Sequence, residues 1–234
     1  MNFGWIDRSA WAAVVAIFRK EWRCELRARH GFLTSILFGV ITVVAIAFAI
    51  ANQRPSPTVY AGLLSVVLLF AATLTLPRIF LVEDEQRTLD WLRLMGRPEA
   101  AFLGKSLYAL LQMALVTFFL TTLFVVLTGV QIRDVGLFLA ALVVGTLAWT
   151  TTICVTGLLV VGASNRWTLG TVVALPLLLP EVALSVGALR ASLGEGSLSG
   201  GWQNVAGIGL FAVAMFAFGP TLAQAMWGLD RRTR

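Results

Sequence analysis

The chain has few of the residues that enzymes and metalloproteins depend on. Its 234 residues include one histidine and two cysteines, and only 13% of them are charged. No HExxH motif, no Cys/His set with metal-binding spacing and no assignable Ser/His/Asp set is found in the sequence. We therefore predict no catalytic residue and no metal site, and we expect that the chain is not itself an enzyme.

Charge is scarce because six long apolar stretches occupy most of the chain. Hydrophobic residues make up 58% of the sequence, far more than a soluble core can absorb. Each stretch supplies the roughly 20 apolar residues that a helix needs to cross a hydrocarbon core. We predict spans over residues 31–51, 59–82, 102–128, 136–161, 168–189 and 205–227. The predicted fold class is all-α, a polytopic membrane protein with six transmembrane helices.

Basic residues are nearly absent from alternate linkers. Of the 18 lysines and arginines, the first, third and fifth linkers hold one each, Arg54, Arg133 and Arg190. The others lie before the first span, around the second linker, at Arg166 and in the C-terminal tail. Because basic loops stay in the cytoplasm, we predict a bacterial inner-membrane protein with both termini cytoplasmic. The same asymmetry accounts for the net charge of +6, so we expect no nucleic-acid binding.

The segment before the first span is predicted to be an amphipathic helix over residues 9–30. Its apolar residues, including Trp11, Val14, Phe18 and Trp22, recur at helical spacing, and basic residues fill the other face. Two interpretations remain open: a cationic anchor on anionic lipid, or an elbow helix that also packs on the transmembrane helices. The predicted domains are a cytoplasmic N-terminus (1–30), a transmembrane domain (31–228) and a basic cytoplasmic tail (229–234).

The linker at residues 83–100 is the most informative polar stretch. Three acidic residues precede a helical run whose apolar face includes Trp91, and residues 96–98 end that run with glycine and proline. We predict a short cytoplasmic coupling helix that docks a soluble partner, and the alternative is a solvated connector. The predicted docking residues are Glu83, Asp84, Glu85, Leu89, Asp90, Trp91, Leu92, Leu94 and Met95.

Glu181 is the only carboxylate inside a predicted span. It follows Pro176 and Pro180, each of which removes a backbone hydrogen bond from a helix. In one interpretation Glu181 lies on a substrate path with the two prolines, because a carboxylate at that depth needs a cavity or a partner. In the interpretation that we favour, the helix stops near Pro176 and restarts at Pro180, so that Glu181 caps an external or re-entrant helix.

Three shorter features are expected to carry little chemistry. His30 lies at the mouth of the first span, where an interfacial anchor is favoured over a haem ligand. The sequence Gly104-Lys105-Ser106 resembles the end of a phosphate-binding loop, but Glu99 stands where the leading glycine belongs, so we expect no nucleotide site. Residues 191–203 are rich in glycine and serine, and we predict a flexible connector there.

The order of these elements resembles the permease subunits of ABC-2 type exporters, and more narrowly the CcmB family of haem-exporter permeases in cytochrome c maturation. The resemblance rests on four segments and covers nearly the whole chain. These segments are residues 18–27 in the amphipathic helix, Arg78-Ile79-Phe80, the linker residues 85–94, and the Leu-Pro-rich residues 175–180.

The resemblance implies a permease that pairs with a CcmA-type ATPase through the linker helix and with a CcmC-type membrane partner. It also implies a homodimer within the complex and delivery of haem for attachment on the outer face. ATP would bind to the partner, haem is the expected substrate, and no cofactor is assigned to this chain. Two rival functions stay open: an exporter permease for another substrate such as a lipid or drug, and a membrane scaffold that docks an ATPase without transport.

Overall fold

The structure is a computed structural model that describes residues 8–28, 30–75, 98–160 and 166–230. These residues form seven helices and no strand. The helices are α1 (Arg8–Ala28), α2 (His30–Ile50), α3 (Pro57–Thr75), α4 (Pro98–Thr128), α5 (Val135–Leu159), α6 (Arg166–Ser192) and α7 (Leu198–Asp230). Six of the described helices, α2 to α7, are long and apolar enough to cross a membrane. The predicted all-α, six-span fold is therefore confirmed.

Three short loops come together at one end of the helix bundle. The backbone amides of Arg133 and Asp134 each donate a hydrogen bond of 3.0 Å to the carbonyl of Ser192. Glu195 accepts hydrogen bonds from Thr58 at the start of α3. We call this end, with loops 51–56, 129–134 and 193–197, the loop end. Helix α1 packs near the start of α4 at the other end, which we call the α1 end.

Helix α5 is the most enclosed of the six spans. It packs against α4, α6 and α7, and 67% of its span is buried, against 17% for α2. Side chains such as Ile41, Phe48 and Leu210 instead project from the outer helices and are mostly exposed, as a lipid-facing surface requires. Polar residues on α5 therefore face other helices and not lipid.

Glycines allow two of the closest helix contacts in the bundle. A Cβ atom at Gly219 on α7 would clash with the Phe102 ring on α4, and one at Gly39 on α2 would clash with Leu120 on α4. Phe102 and Leu120 are both fully buried in the core. Packing around α4 thus depends on small residues that let backbones approach, as is common between membrane helices.

Helix α6 is continuous from Arg166 to Ser192, with Pro176 and Pro180 inside it. The favoured prediction of a helix that stops near Pro176 and restarts at Pro180 is therefore wrong. Neighbouring helices α3, α5 and α7 hold the segment, and membrane helices tolerate proline where packing supports the backbone. Glu181 lies 15 residues after the start of α6, about 22 Å along the helix, and not in the first turn of a separate one.

The glycine-rich stretch at residues 191–203 is more ordered than predicted. Only residues 193–197 lie between α6 and α7. Gly194 and Gly196 adopt positive φ angles of 98° and 102° there, which glycine accepts without steric penalty. The Ser197 hydroxyl accepts a hydrogen bond from the Gly200 amide, so α7 begins at Leu198 rather than at the predicted Val205. The predicted flexible connector is thus mostly helix.

Candidate functional site: a buried polar core and the α1–α4 junction

The structure describes only part of the predicted site. The predicted docking residues, Glu83 to Met95, lie outside the described residues, and α4 begins shortly after them at Pro98. His30 is the first residue of α2, and its side chain is also outside the description. Pro176 and Pro180 are exposed on the outside of the bundle, whereas Glu181 is fully buried. The two prolines therefore do not share an interior face with Glu181.

The Glu181 carboxylate lies between α5 and α6. The Thr152 hydroxyl on α5 donates a hydrogen bond to its Oε1 atom. Its Oε2 atom has no hydrogen-bond partner among the described residues, and the side chain is 0% exposed. A buried carboxyl oxygen without a partner is energetically costly. This atom is therefore a candidate acceptor for a proton or for a donor group of a ligand.

Two more unpartnered polar atoms lie on the same pair of facing helix stripes. Ser185 follows Glu181 by four residues on α6, so these two side chains lie on the same face of that helix. Trp149 precedes Thr152 by three residues on α5, so these two also share a helix face. The Ser185 hydroxyl and the Trp149 indole N–H have no partner within the described part of the chain. A Cβ atom at Gly145 would lie 3.6 Å from Ser185 Oγ, so Gly145 on α5 faces Ser185 on α6. We call Trp149, Thr152, Glu181 and Ser185 the Glu181 cluster.

Polar side chains on α4 and α5 extend this interior along the bundle. The Thr146 hydroxyl on α5 donates to Thr117 Oγ1 on α4 over 3.2 Å, and Gln112 on α4 is also buried. Towards the α1 end, buried Ser106 lies beside fully buried Cys154. Hydrophobic helix surfaces enclose these groups, so the bundle contains a polar seam that does not face lipid.

The α1–α4 junction begins at a glycine. A Cβ atom at Gly104 would lie 2.9 Å from the Val14 carbonyl oxygen and 2.9 Å from the Ile17 side chain, so only glycine allows this approach. Val14 and Ile17 are buried, and Phe18 packs edge-on against Tyr108 with ring centroids 6.3 Å apart. The structure therefore shows α1 packed on a transmembrane helix, which was one of the two interpretations of its amphipathic pattern.

An ion pair strengthens this junction. Lys105 Nζ lies 3.1 Å from Glu21 Oε1, and the two side chains are 4% and 13% exposed. Burial by itself would raise the pKa of Glu21, but the ammonium groups of Lys105 and Lys20 outweigh it and hold that pKa below its ordinary value. The lysine of the Gly104-Lys105-Ser106 sequence thus serves to attach α1.

The sequence alone did not reveal the contacts of Thr152, Ser185, Glu21 and Lys105. The signals present were the run of three threonines ending at Thr152 within an apolar span, and a lysine inside the first turns of α4. Neither signal identifies the residue that is contacted. The contacts join Thr152 to Glu181 and Lys105 to Glu21, which are 29 and 84 positions apart in the chain.

Comparisons with known proteins agree with this architecture. Residues 12–226 match the family model described as CcmB protein. The chain is 28% identical over 224 residues to the "Heme exporter protein B" of Bradyrhizobium diazoefficiens, an alignment that covers 93% of this chain and 99% of that protein. The family match runs from α1 into α7 and confirms the resemblance noted in the sequence. The chain therefore belongs to the CcmB protein family.

Proposed function

We propose that this chain is the membrane permease subunit of a haem exporter that serves the biogenesis of c-type cytochromes. The observation that carries the proposal is the CcmB family match over residues 12–226, together with a six-span bundle. A relative aligned along nearly its whole length is named a heme exporter protein. The chain would act within a complex of several subunits, and two copies of it would form the membrane pathway.

A separate ATPase subunit of the CcmA type would supply the energy, and a CcmC-type membrane protein would be the second partner. The proposed docking element is the linker helix at residues 85–95, which leads into α4 at Pro98. Because α4 is attached to α1 through Gly104 and through the Lys105–Glu21 ion pair, a push on the linker would move both helices together. ATP would bind to the partner subunit.

We propose that the α1 end faces the cytoplasm of a bacterial inner membrane. Each of the three linkers at the loop end carries a single arginine or lies beside one: Arg54, Arg133 and Arg190. Basic residues are far denser in α1. The positive-inside rule favours export of the loop end and retention of α1.

The Glu181 cluster is the proposed polar contact along the substrate path. Its support is the combination of a carboxyl oxygen, an indole N–H and a hydroxyl on facing helices, none of which has a hydrogen-bond partner in the part of the chain that the structure describes. Pro176 and Pro180 would contribute through the α6 backbone, because their rings lie on the outer surface. Replacing Glu181 with Gln should lower transport while leaving ATP hydrolysis and complex assembly intact, and unchanged transport would remove Glu181 from the path.

The decisive experiment tests docking and transport in one preparation. The complex is purified with its ATPase, reconstituted in liposomes and assayed for ATP-dependent movement of haem between leaflets. Trp91→Asp/Leu94→Asp should release the ATPase, and Trp202→Asp, at an exposed tryptophan of the loop end, is the matched control. An intact complex with the double variant would contradict the docking assignment. ATP hydrolysis without any movement of haem would contradict haem export and favour another substrate or a scaffold.

A further inference from the structure

We propose that an anionic phospholipid binds in the groove between α1 and α4, with its phosphate between Arg19 and Arg23 and one acyl chain along Leu111. The groove has a volume of about 220 Å³ and is lined by Phe18, Arg19, Trp22, Arg23 and Leu111. The inference concerns the outer surface of the bundle and does not depend on the proposed function.

The cationic half of the groove is formed by two arginines of α1. Arg19 and Arg23 are four residues apart on α1, so their side chains lie on the same helix face. Both are exposed, and neither forms an ion pair with a described residue, whereas Glu21 is already engaged by Lys20 and Lys105. Two guanidinium groups one turn apart repel each other and suit a phosphate group, which each can bind through a fork of N–H donors.

The apolar half of the groove continues into the lipid-facing surface of α4. Leu107, Leu111, Leu115 and Phe118 form an exposed stripe at helical spacing, and Phe118 is 75% exposed. In a helix that crosses the membrane, such a stripe contacts acyl chains. A ligand that occupies the groove therefore has a charged end at Arg19 and Arg23 and a long apolar part that runs along Leu111.

Trp22 also lines the groove and is 40% exposed. An indole ring at this level is typical of the boundary between headgroups and hydrocarbon. The combination of two cations that have no ion-pair partner among the described residues, an indole ring and an acyl-facing stripe matches a phospholipid of net negative charge. A phosphatidylcholine fits less well, because its choline group would add a third cation beside the two guanidinium groups.

The test measures quenching of tryptophan fluorescence by lipids brominated on the acyl chain. The full chain is placed in nanodiscs of phosphatidylcholine that contain either brominated phosphatidylglycerol or brominated phosphatidylcholine at the same mole fraction. We expect stronger quenching by the phosphatidylglycerol, and Trp22→Phe should remove the difference between the two lipids. Arg19→Gln/Arg23→Gln should weaken the apparent affinity for phosphatidylglycerol about tenfold. The variant loses the charge-assisted hydrogen bonds to the phosphate, which are stronger than neutral ones.

Arg54→Gln/Arg133→Gln is the matched control, because it removes two exposed arginines at the loop end. This variant should keep the full preference for phosphatidylglycerol. Equal quenching by both lipids, or an equal loss of preference in the control, would overturn the proposal. So would a titration in which haem, with its two carboxylates, requires Arg19 and Arg23 while phosphatidylglycerol does not. Both arginines are exposed, and size-exclusion profiles of the variants verify that the bundle is folded.

Discussion

The Thr152 hydroxyl on α5 donates a hydrogen bond to the Glu181 carboxylate on α6 and so joins two transmembrane helices inside the bundle. Both side chains are fully buried, and Thr152 is the hydrogen-bond partner of the Glu181 carboxylate among the described residues. A single donor thus supports an acidic group at a depth where lipid or apolar protein would otherwise surround it.

Thr152→Val should destabilise the protein by about 1–3 kcal/mol, because it leaves both carboxyl oxygens of Glu181 without a donor among the described residues while keeping the side-chain volume. Unfolding by a strong detergent, followed by circular dichroism, measures the change. In a Glu181→Met background the same substitution should cost much less, since no carboxylate remains to be stranded.

Thr150→Val is the matched control for this prediction. Thr150 is equally buried, but its hydroxyl donates to the Thr146 carbonyl of its own helix, over 2.7 Å. Removing the Thr150 hydroxyl should lower the free energy of unfolding by less than about 1 kcal/mol, because the backbone hydrogen bonds of the helix remain. Equal losses of stability in Thr150→Val and Thr152→Val would show that the hydrogen bond to Glu181 does not stabilise the protein more than a bond within the helix.

The ion pair between Glu21 and Lys105 predicts a pH dependence of α1 attachment. The pKa of Glu21 is lowered in the folded protein, because Lys105 and Lys20 outweigh the effect of burial. The stabilisation is therefore present above the unfolded-state pKa and is lost as the pH falls through the lower folded-state pKa. Limited proteolysis of α1 across acidic pH should show this loss in the native chain.

Glu21→Gln should flatten that pH profile and destabilise the junction at neutral pH by about 1.5–3 kcal/mol, the range for hydrogen bonds to charged groups. Glu99→Gln is a suitable control, since Glu99 also lies in the α1-end region of α4 but accepts its hydrogen bond from Gln224 on α7. A profile that keeps its steep acid limb in Glu21→Gln would rule out this ion pair as the cause.

Gly104→Ala should push α1 away from α4. The new methyl group would meet the Val14 backbone carbonyl at 2.9 Å, and a backbone atom yields less readily than a side chain. We expect the free energy of unfolding to fall by about 1–3 kcal/mol and protease to cleave α1 faster. Gly62→Ala on α3 is the control, because nothing lies within 4 Å of a Cβ atom there. Similar stability of the two variants would contradict the close approach.

Glu195 should control the stability of the α3 start. It accepts hydrogen bonds from the Thr58 hydroxyl, at 2.7 Å, and from the Thr58 amide, at 2.9 Å. These bonds lower the pKa of Glu195, so its contribution is present above the unfolded-state pKa and is lost as the pH falls through the folded-state value. Glu195→Ala should speed hydrogen exchange at Thr58, whereas Ser197→Ala, which removes the cap of α7, should leave Thr58 protected.

The proposed orientation predicts which side of the membrane each exposed position labels from. Cys24 is exposed on α1, and Cys154 is buried, so a thiol reagent reports on Cys24. Cys24 should react in inside-out vesicles only. A cysteine placed at Gln53, an exposed position of the loop end, should react from the periplasmic face in a Cys24→Ser background. Labelling of both positions from the same side would contradict the six-span topology.

The six spans were predictable because the length of each apolar stretch can be counted directly in the sequence. The start of α4 at Pro98 lies slightly ahead of the predicted Phe102, since proline suits the first helical turn and Glu99 there suits the helix dipole. The interruption at Pro176 was predicted from a local rule about backbone hydrogen bonds. Packing of three neighbouring helices around α6 overrode that rule.

The partner of Glu181 was not predictable in the same way. A helix that is apolar on nearly all sides does not reveal which face turns inward, so the register between α5 and α6 was open. The choice of Thr152 over its neighbours Thr150 and Thr151 depends on that register. Likewise, the link between Lys105 and Glu21 requires that α1 folds back onto α4, which charge asymmetry alone does not predict.

The threonines of α5 have a consequence for synthesis of the chain. Thr150, Thr151 and Thr156 donate to carbonyls of their own helix, so α5 enters the bilayer with few stranded hydroxyl groups. The Glu181 carboxylate instead accepts its hydrogen bond from another helix, and the donor, Thr152, precedes it by 29 residues in the chain. If the helices enter the membrane in chain order, the Thr152 hydroxyl would be in the bilayer before α6 brings the Glu181 carboxylate into it.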